Sequence, residues 1–168
     1  MLGQFSELGE SNYLHIIANY FRLLNMGVMQ LVVISMRDLY KGSCLCGDVT
    51  FVVSSFSEQA ANCHCTMCRK FHGAAYGTLI GVSGLKWISG KGLLKEFTAP
   101  NGTVRTFCSE CGSSLGFRVK GESLKEIELA ISTFDSDIPV IIDAHIFTDD
   151  KANWCNLQDD LPKFKQGR

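Results

Sequence analysis

The sequence has no excess of positive charge. Its 16 Lys and Arg residues are balanced by 17 Asp and Glu, giving a net charge of -1, and its pI is about 6.4. The basic residues are also scattered along the chain rather than clustered. Without a basic field, nothing attracts the phosphates of nucleic acid or an anionic lipid surface. We therefore expect no nucleic-acid partner.

The sequence also lacks an uninterrupted apolar run long enough to cross a bilayer, which takes about 20 residues. The most apolar stretch, 13–35, is interrupted by polar residues, namely His15, Asn19, Arg22, Asn25 and Gln30. A secretory signal would begin with basic residues, whereas Glu7 and Glu10 come first here. We therefore expect a cytoplasmic protein that does not contact a membrane.

The first 36 residues form an N-terminal extension with two possible interpretations. Apolar residues recur at helical spacing within it, which predicts a short amphipathic helix; they are Ile16, Ile17, Tyr20, Leu23 and Leu24. Alternatively, Met29 or Met36 is the native start, and the upstream residues have no role in the fold. We favour the second interpretation because Met36 directly precedes the first segment typical of a folded domain. The predicted division is thus an extension at 1–36 and a zinc-binding β domain at 37–168.

From residue 38 onward, short segments rich in β-branched and aromatic residues alternate with turn residues. The predicted strands are 48–53, 75–82, 93–98, 103–107, 114–119, 126–131 and 141–147, and the one predicted helix is 66–71. The sequence contains no internal repeat, low-complexity tract or linker, and 46% hydrophobic residues suffice for one core. The predicted fold is therefore mainly β, a single domain of short antiparallel strands in packed sheets.

Cysteine is the residue present in excess. Seven of the eight cysteines fall into three groups, which are Cys44 and Cys46, then Cys63, Cys65 and Cys68, and finally Cys108 and Cys111; Cys155 stands alone. Disulfides are the alternative explanation, but they require an oxidising compartment, and an odd group of seven cannot pair completely. Closely spaced cysteines favour a shared metal ion instead.

Zinc prefers four tetrahedral ligands, and thiolate is one it favours. A glycine follows the second cysteine in the first and third groups, as Gly47 and Gly112, and it tolerates the positive φ that a tight turn around a metal requires. Two such turns would make a closed four-sulfur site. The middle group would then supply three ligands and an open position, typical of a reactive zinc site. Spacing alone does not decide which groups share an ion.

Three motifs in order carry a resemblance to a known family. They are Gly-Ser-Cys-Leu-Cys-Gly at 42–47, Cys-His-Cys-Thr-Met-Cys-Arg-Lys at 63–70 and Phe-Cys-Ser-Glu-Cys-Gly at 107–112, with weaker matches at 145–147, 151–154 and 160–164. With these motifs the chain resembles the glutathione-dependent formaldehyde-activating enzyme family, which also includes centromere protein V. The resemblance spans roughly residues 40–164.

The resemblance implies a fold similar to that of a zinc-bearing Rab GTPase accessory protein, with two Zn²⁺ ions per chain. It implies that the structural zinc is held by Cys44, Cys46, Cys108 and Cys111, and the catalytic zinc by Cys63, Cys65 and Cys68. The implied activity is that of a carbon–sulfur lyase or synthase, which condenses glutathione with formaldehyde to S-hydroxymethylglutathione. Its partners would be these two small molecules.

Two alternatives stay open beside this function. The same zinc scaffold could act on another small thiol or electrophile, or it could be a non-catalytic binding module. Arg69 and Lys70, directly after the middle cysteine group, are tentative contacts for a glutathione carboxylate; otherwise they form a solvated helix face. His64 is expected to point away from the metal, and His145 is expected to be a hydrogen-bonded core residue. The sequence leaves the oligomeric state open.

Overall fold

The structure is a computed structural model that describes residues 39–119, 121–123 and 127–168. The predicted N-terminal helix and the proposed starts at Met29 and Met36 lie outside these residues and stay predictions, as does the division at residue 36. Within the described ranges, no helix combines the length and the apolar character needed to span a membrane.

The described part of the chain contains ten β-strands and one short α-helix. The strands are β1 Tyr40–Ser43, β2 Thr50–Val53, β3 Ser55–Cys63, β4 Gly77–Ser83, β5 Lys86–Ser89, β6 Leu94–Thr98, β7 Val104–Cys108, β8 Ser114–Arg118, β9 Glu128–Ala130 and β10 Ala144–Ile146. The helix is α1 Thr66–His72, and single 3₁₀ turns lie at Lys91–Leu93, Ile131–Thr133 and Thr148–Asp150.

The strands form two sheets. The smaller has the order β1-β2-β5, and the larger has the order β10-β3-β4-β9-β8-β7-β6. All pairings between these strands are antiparallel except that of β10 with β3, which is parallel and aligns Ala144 with Ala61. The prediction of purely antiparallel strands is therefore wrong for β10, which returns to β3 after a long excursion of the chain.

The two sheets pack face to face around an apolar core. Phe51 and Val53 of β2 contact Leu129 of β9 and the adjoining Ile127, and all four are at most 1% exposed. Aromatic rings close the rim of this core, with the Phe51 ring 5.5 Å from that of Trp87 and 5.4 Å from that of Phe134. The prediction of a mainly β fold with packed sheets is confirmed, whereas the likeness to a Rab accessory protein stays a prediction.

Three strands were not predicted, namely β1, β3 and β5. β3 begins with polar, exposed residues, and its pairing with β4 is irregular between Phe56 and Ala60, so that half of the strand lacks an alternating pattern. Only its second half, Ala60–Cys63, is buried. This missed strand matters most for the site, because its end carries the first cysteine of the middle group.

Candidate metal centres and active-site cavity

The first and third cysteine groups meet in one cluster. Cys44 and Cys46 follow β1, and Cys108 and Cys111 lie at and after the end of β7. The four sulfur atoms are all within 4.8 Å of one another. Each pair is presented by a tight turn, in which the amide of the glycine donates to the carbonyl of the first cysteine, at 3.0 Å for Gly47 and 2.9 Å for Gly112.

Both glycines have the left-handed backbone that the sequence predicted. Their φ angles are 82° at Gly47 and 73° at Gly112, where a side chain would be strained. Ser113 joins the two turns, because its hydroxyl oxygen accepts from the amide of Leu45 at 2.8 Å and lies 3.3 Å from the sulfur of Cys111. Hydrogen bonds from the Ser113 side chain and backbone lower the pKa of Cys111 to about 5. This corner of the cluster therefore favours a thiolate.

The spacing of these sulfurs fits a tetrahedral metal ion. Zinc–sulfur bonds of about 2.3 Å place neighbouring sulfurs about 3.8 Å apart. The Cys44 and Cys46 sulfurs are 3.3 Å apart, and those of Cys46 and Cys108 are 3.9 Å apart, so the observed separations bracket that value. Four thiols converging in this way could hold a metal ion and would complete its coordination.

The middle group forms a second cluster, hereafter the trio, consisting of Cys63, Cys65 and Cys68. Its sulfurs also lie within 4.8 Å of one another. Cys63 ends β3, Cys65 caps α1 by accepting the amide of Cys68 on its sulfur at 3.3 Å, and Cys68 lies in the first turn of that helix. A strand end joined directly to a helix start thus gathers three thiols within six residues.

The trio differs from the four-cysteine cluster because it opens into a large cavity. All three of its cysteines line a space of 860 Å³, together with residues such as Arg105, Phe117 and Glu128. That volume lies within the range of small-molecule sites, which is about 300–1,000 Å³. The trio could therefore hold a metal ion that a small molecule can reach.

Protons are unevenly distributed within the trio. Hydrogen bonds from the thiols of Cys63 and Cys68 lower the pKa of Cys65. The pKa of Cys63 is raised instead, first by its hydrogen bond to Cys65 and then by that to Cys68. The pKa of Cys68 is also raised, so Cys65 ionises more easily than its two neighbours. A metal cation would replace those protons and stabilise all three thiolates.

His64 lies between two cysteines of the trio, but unlike them it does not line the cavity. It is fully buried and contacts His145, with its Nε2 2.7 Å from His145 Nδ1. His145 Nε2 in turn lies 2.9 Å from a carboxylate oxygen of Asp159. Burial, followed by the charges of His145 and Lys151, lowers the pKa of His64. Both histidines are thus buried and hydrogen-bonded, as expected for His145, and they fix the strand beneath the trio.

The structure places Arg69 and Lys70 on α1 but not along the cavity wall. Arg69 donates through Nε to the carbonyl of His64 at 3.2 Å, which ties the helix to the strand end, and Lys70 is exposed. Their role as glutathione contacts stays a prediction. Cys155 is half-buried and belongs to neither cysteine cluster.

Sequence reasoning missed Arg105. It lies on β7, is only 4% exposed, and donates through Nη2 to the sulfur of Cys68 at 3.5 Å. Its guanidinium carbon is 5.0 Å from the centre of the Phe117 ring and 5.6 Å from that of Phe71. The available signal was a lone arginine inside a short strand that leads into a cysteine pair, where an apolar residue is the usual occupant.

The family model described as "Glutathione-dependent formaldehyde-activating enzyme" matches residues 39–150, which is more than half of the chain. The chain belongs to the glutathione-dependent formaldehyde-activating enzyme family. The matched range contains both cysteine clusters and Arg105, so the family relationship covers the site itself.

A crystal structure of a Rhodobacter sphaeroides protein aligns with 21% identity and a TM-score of 0.47, over 59% of this chain and 91% of that chain. A likeness at this level carries no argument about function. A comparison with curated proteins gives no match. The formaldehyde-activating family is thus the relationship on which a functional proposal can be based.

Proposed function

We propose that this protein is a zinc-dependent carbon–sulfur lyase or synthase that condenses glutathione with formaldehyde to S-hydroxymethylglutathione. The observation that carries the proposal is the trio, Cys63, Cys65 and Cys68, whose three converging thiols face a cavity of 860 Å³. Membership of the formaldehyde-activating family supports the choice of thiol and aldehyde. A cytoplasmic location is part of the same proposal.

The two clusters suit different roles. The cluster of Cys44, Cys46, Cys108 and Cys111 offers four sulfurs and would close the coordination of a structural zinc. The trio offers three and would leave a position for a substrate thiol. Soft thiolate donors favour zinc over harder ions such as magnesium at both places. A zinc ion with an open position supplies the ability to bind a thiol as its thiolate at neutral pH.

The residues around the trio would orient the thiol substrate and limit its access to water. Glutathione carries carboxylates and an ammonium group, and the cavity wall provides charged side chains of both signs, including Glu58, Asp150 and Arg168. Apolar residues such as Phe117 and Ile146 lie between them. This combination of apolar wall and few charged groups is typical of a site that binds a small polar metabolite.

The experiment is to follow exchange between formaldehyde, glutathione and their adduct by NMR, using the zinc-loaded full chain. We expect acceleration by the wild-type protein and by a Cys155→Ser control, which alters a cysteine outside both clusters. Cys65→Ser should abolish the acceleration while the fold is retained. If the zinc-loaded wild type gives no acceleration, the formaldehyde reaction is excluded, and the alternatives of another thiol substrate or a binding role take its place.

A further inference from the structure

Arg105 is a permanent charge in a place where most of its surroundings are apolar. Its guanidinium lies against the rings of Phe71 and Phe117, and only 4% of the residue is exposed. Arginine stays protonated in proteins, and a buried charge is costly unless it is paired. An arginine at this position therefore requires a compensating negative group.

Only part of that compensation lies among the described residues. Nη2 donates to Cys68 at 3.5 Å, but Nε and Nη1 have no hydrogen-bond partner within residues 39–119, 121–123 and 127–168. No ion pair formed by the residues in the described ranges includes Arg105. Glu128 lines the same cavity, but none of the hydrogen bonds among the described residues joins its carboxyl to the guanidinium. Burial and the charge of Glu122 raise the pKa of Glu128, and the charge of Arg105 only partly offsets them. Arg105 is thus short of acceptors at the wall of a cavity that small molecules can enter.

We propose that Arg105 is a catalytic residue that binds the oxyanion formed when a thiolate adds to an aldehyde at the trio. This inference rests on the proposed function, since it assigns a residue to the same reaction. Donors aimed at developing negative charge are most effective where water is excluded. The position of Arg105 between two aromatic rings meets that condition.

The location of Arg105 favours an oxyanion over a distant carboxylate. Its Nη2 contacts the sulfur of Cys68 directly, so the guanidinium lies beside any group that binds next to this sulfur. The two carboxylates of glutathione are several bonds away from its sulfur. The oxygen of an added aldehyde, in contrast, is attached to the carbon that bonds to sulfur. Arg105 is therefore placed for the atom whose charge changes during the reaction.

The step is balanced by thiol and aldehyde alone. The thiolate sulfur forms a bond to the carbonyl carbon, and the π electron pair of the carbonyl moves onto oxygen. The thiol has already released its proton to solvent. The resulting alkoxide, paired with Arg105, takes a proton from water, and the hydroxide left behind is neutralised by the proton that the thiol released, so that no net proton is gained or lost. In the reverse direction the same pair stabilises the alkoxide as the carbon–sulfur bond breaks. No oxidant or reductant is involved.

The first test measures binding at equilibrium, independently of catalysis. Mercaptoacetate carries an anionic oxygen near its sulfur, whereas 2-mercaptoethanol carries a neutral one. We expect the zinc-loaded full chain to prefer mercaptoacetate by about tenfold to a hundredfold in calorimetric titrations, as for a charge-assisted hydrogen bond. Arg105→Met should remove this preference. Arg118→Met is the matched control, because Arg118 lies on the adjacent strand and pairs with Glu96 at 2.8 Å.

The second test separates catalysis from metal retention. In Arg105→Met we expect kcat for adduct formation to fall about a hundredfold to a thousandfold, with KM for glutathione within about threefold of wild type. Zinc content should stay at two ions per chain. Loss of zinc from the variant would instead show that Arg105 only balances the charge of the trio, and would overturn the proposal.

Two further outcomes are decisive. If Arg105→Met does not fold, Arg105→Lys takes its place in the titrations. Lysine keeps the positive charge but not the planar fork of donors, so the preference for mercaptoacetate should weaken. An unchanged preference would refute the role of Arg105. If the wild type shows no formaldehyde exchange, the proposed function fails, yet the anion preference still tests Arg105. If exchange occurs and the preference does not depend on Arg105, this inference alone fails.

Discussion

Cys108 connects the four-cysteine cluster to the core, so its replacement by serine perturbs both. It is the last residue of β7, is completely buried, and packs with Cys44, Val49 and Leu115. Its sulfur lies 3.9 Å from that of Cys46 across the cluster. In Cys108→Ser, three sulfurs remain where four converged, and a hydroxyl replaces a thiol inside an apolar cluster.

The magnitude of the effect follows from the role of such sites in folding. A structural zinc contributes about 10–16 kcal/mol to the folding of zinc-finger peptides, whereas the net stability of a whole domain is about 5–15 kcal/mol. The buried hydroxyl adds a cost of about 1–3 kcal/mol if it finds no partner. We therefore expect Cys108→Ser to lose one zinc and to be largely unfolded at 25 °C.

The assay combines metal analysis with circular dichroism on the purified full chain. Cys155→Ser is the matched control, since Cys155 lies outside both clusters and its replacement should change stability by less than about 1 kcal/mol. Cys65→Ser should keep its β-sheet spectrum while losing one zinc. A folded Cys108→Ser protein that retains two zinc ions would refute the assignment of this cluster to a structural metal.

Two further predictions concern stability. Burial, followed by the charge of Arg105, lowers the pKa of His72 from 6.5 to about 4. Between these two pH values the unfolded chain binds more protons than the folded one. The free energy of unfolding must therefore decrease as the pH falls from about 6.5 to 4. In urea unfolding at fixed zinc, the free energy of unfolding of His72→Gln should decrease over this pH range by about 1–2 kcal/mol less than that of the wild type, after allowance for solvent screening. Identical pH profiles for the two proteins would contradict this. A Cβ at Gly116 would lie 2.1 Å from the carbonyl oxygen of Glu128 on β9, so Gly116→Ala should lose about 2 kcal/mol or more. A Cβ at Gly92 would have no atom of the described residues within 4 Å, so Gly92→Ala should be neutral. Equal melting temperatures for the two variants would argue against the close approach of β8 and β9.

The local geometry of the cysteine turns could be predicted from the sequence because it depends on neighbouring residues. The positive φ of Gly47 and Gly112 follows from their positions after the second cysteine of each pair. The association of the two turns could not be predicted from spacing, because Cys46 and Cys108 are 62 residues apart. The first turn follows a strand of the smaller sheet and Cys108 ends a strand of the larger one, so the two turns meet only where the sheets pack together. The resemblance to a family supplied that association.

The strands and the site residue that were not predicted also depend on packing between distant parts of the chain. β3 and β5 are stabilised by neighbouring strands rather than by an alternating pattern of their own, and three of the four residues of β5 are exposed. The role of Arg105 depends on its contact with Cys68 of α1, and these two residues are 37 positions apart in sequence. An arginine alone indicates a surface position, and only the packing of β7 against α1 shows that this one is buried beside the trio.

The four-cysteine cluster is expected to close around its metal, whereas the trio is expected to stay accessible through the cavity. Stepwise zinc release tests this difference most directly, with a chromogenic chelator added to the zinc-loaded full chain and circular dichroism recorded in parallel. We predict two phases: one zinc leaves quickly without loss of the β-sheet spectrum, and the second leaves only as the protein unfolds. Release of both ions in a single phase that coincides with unfolding would contradict the account.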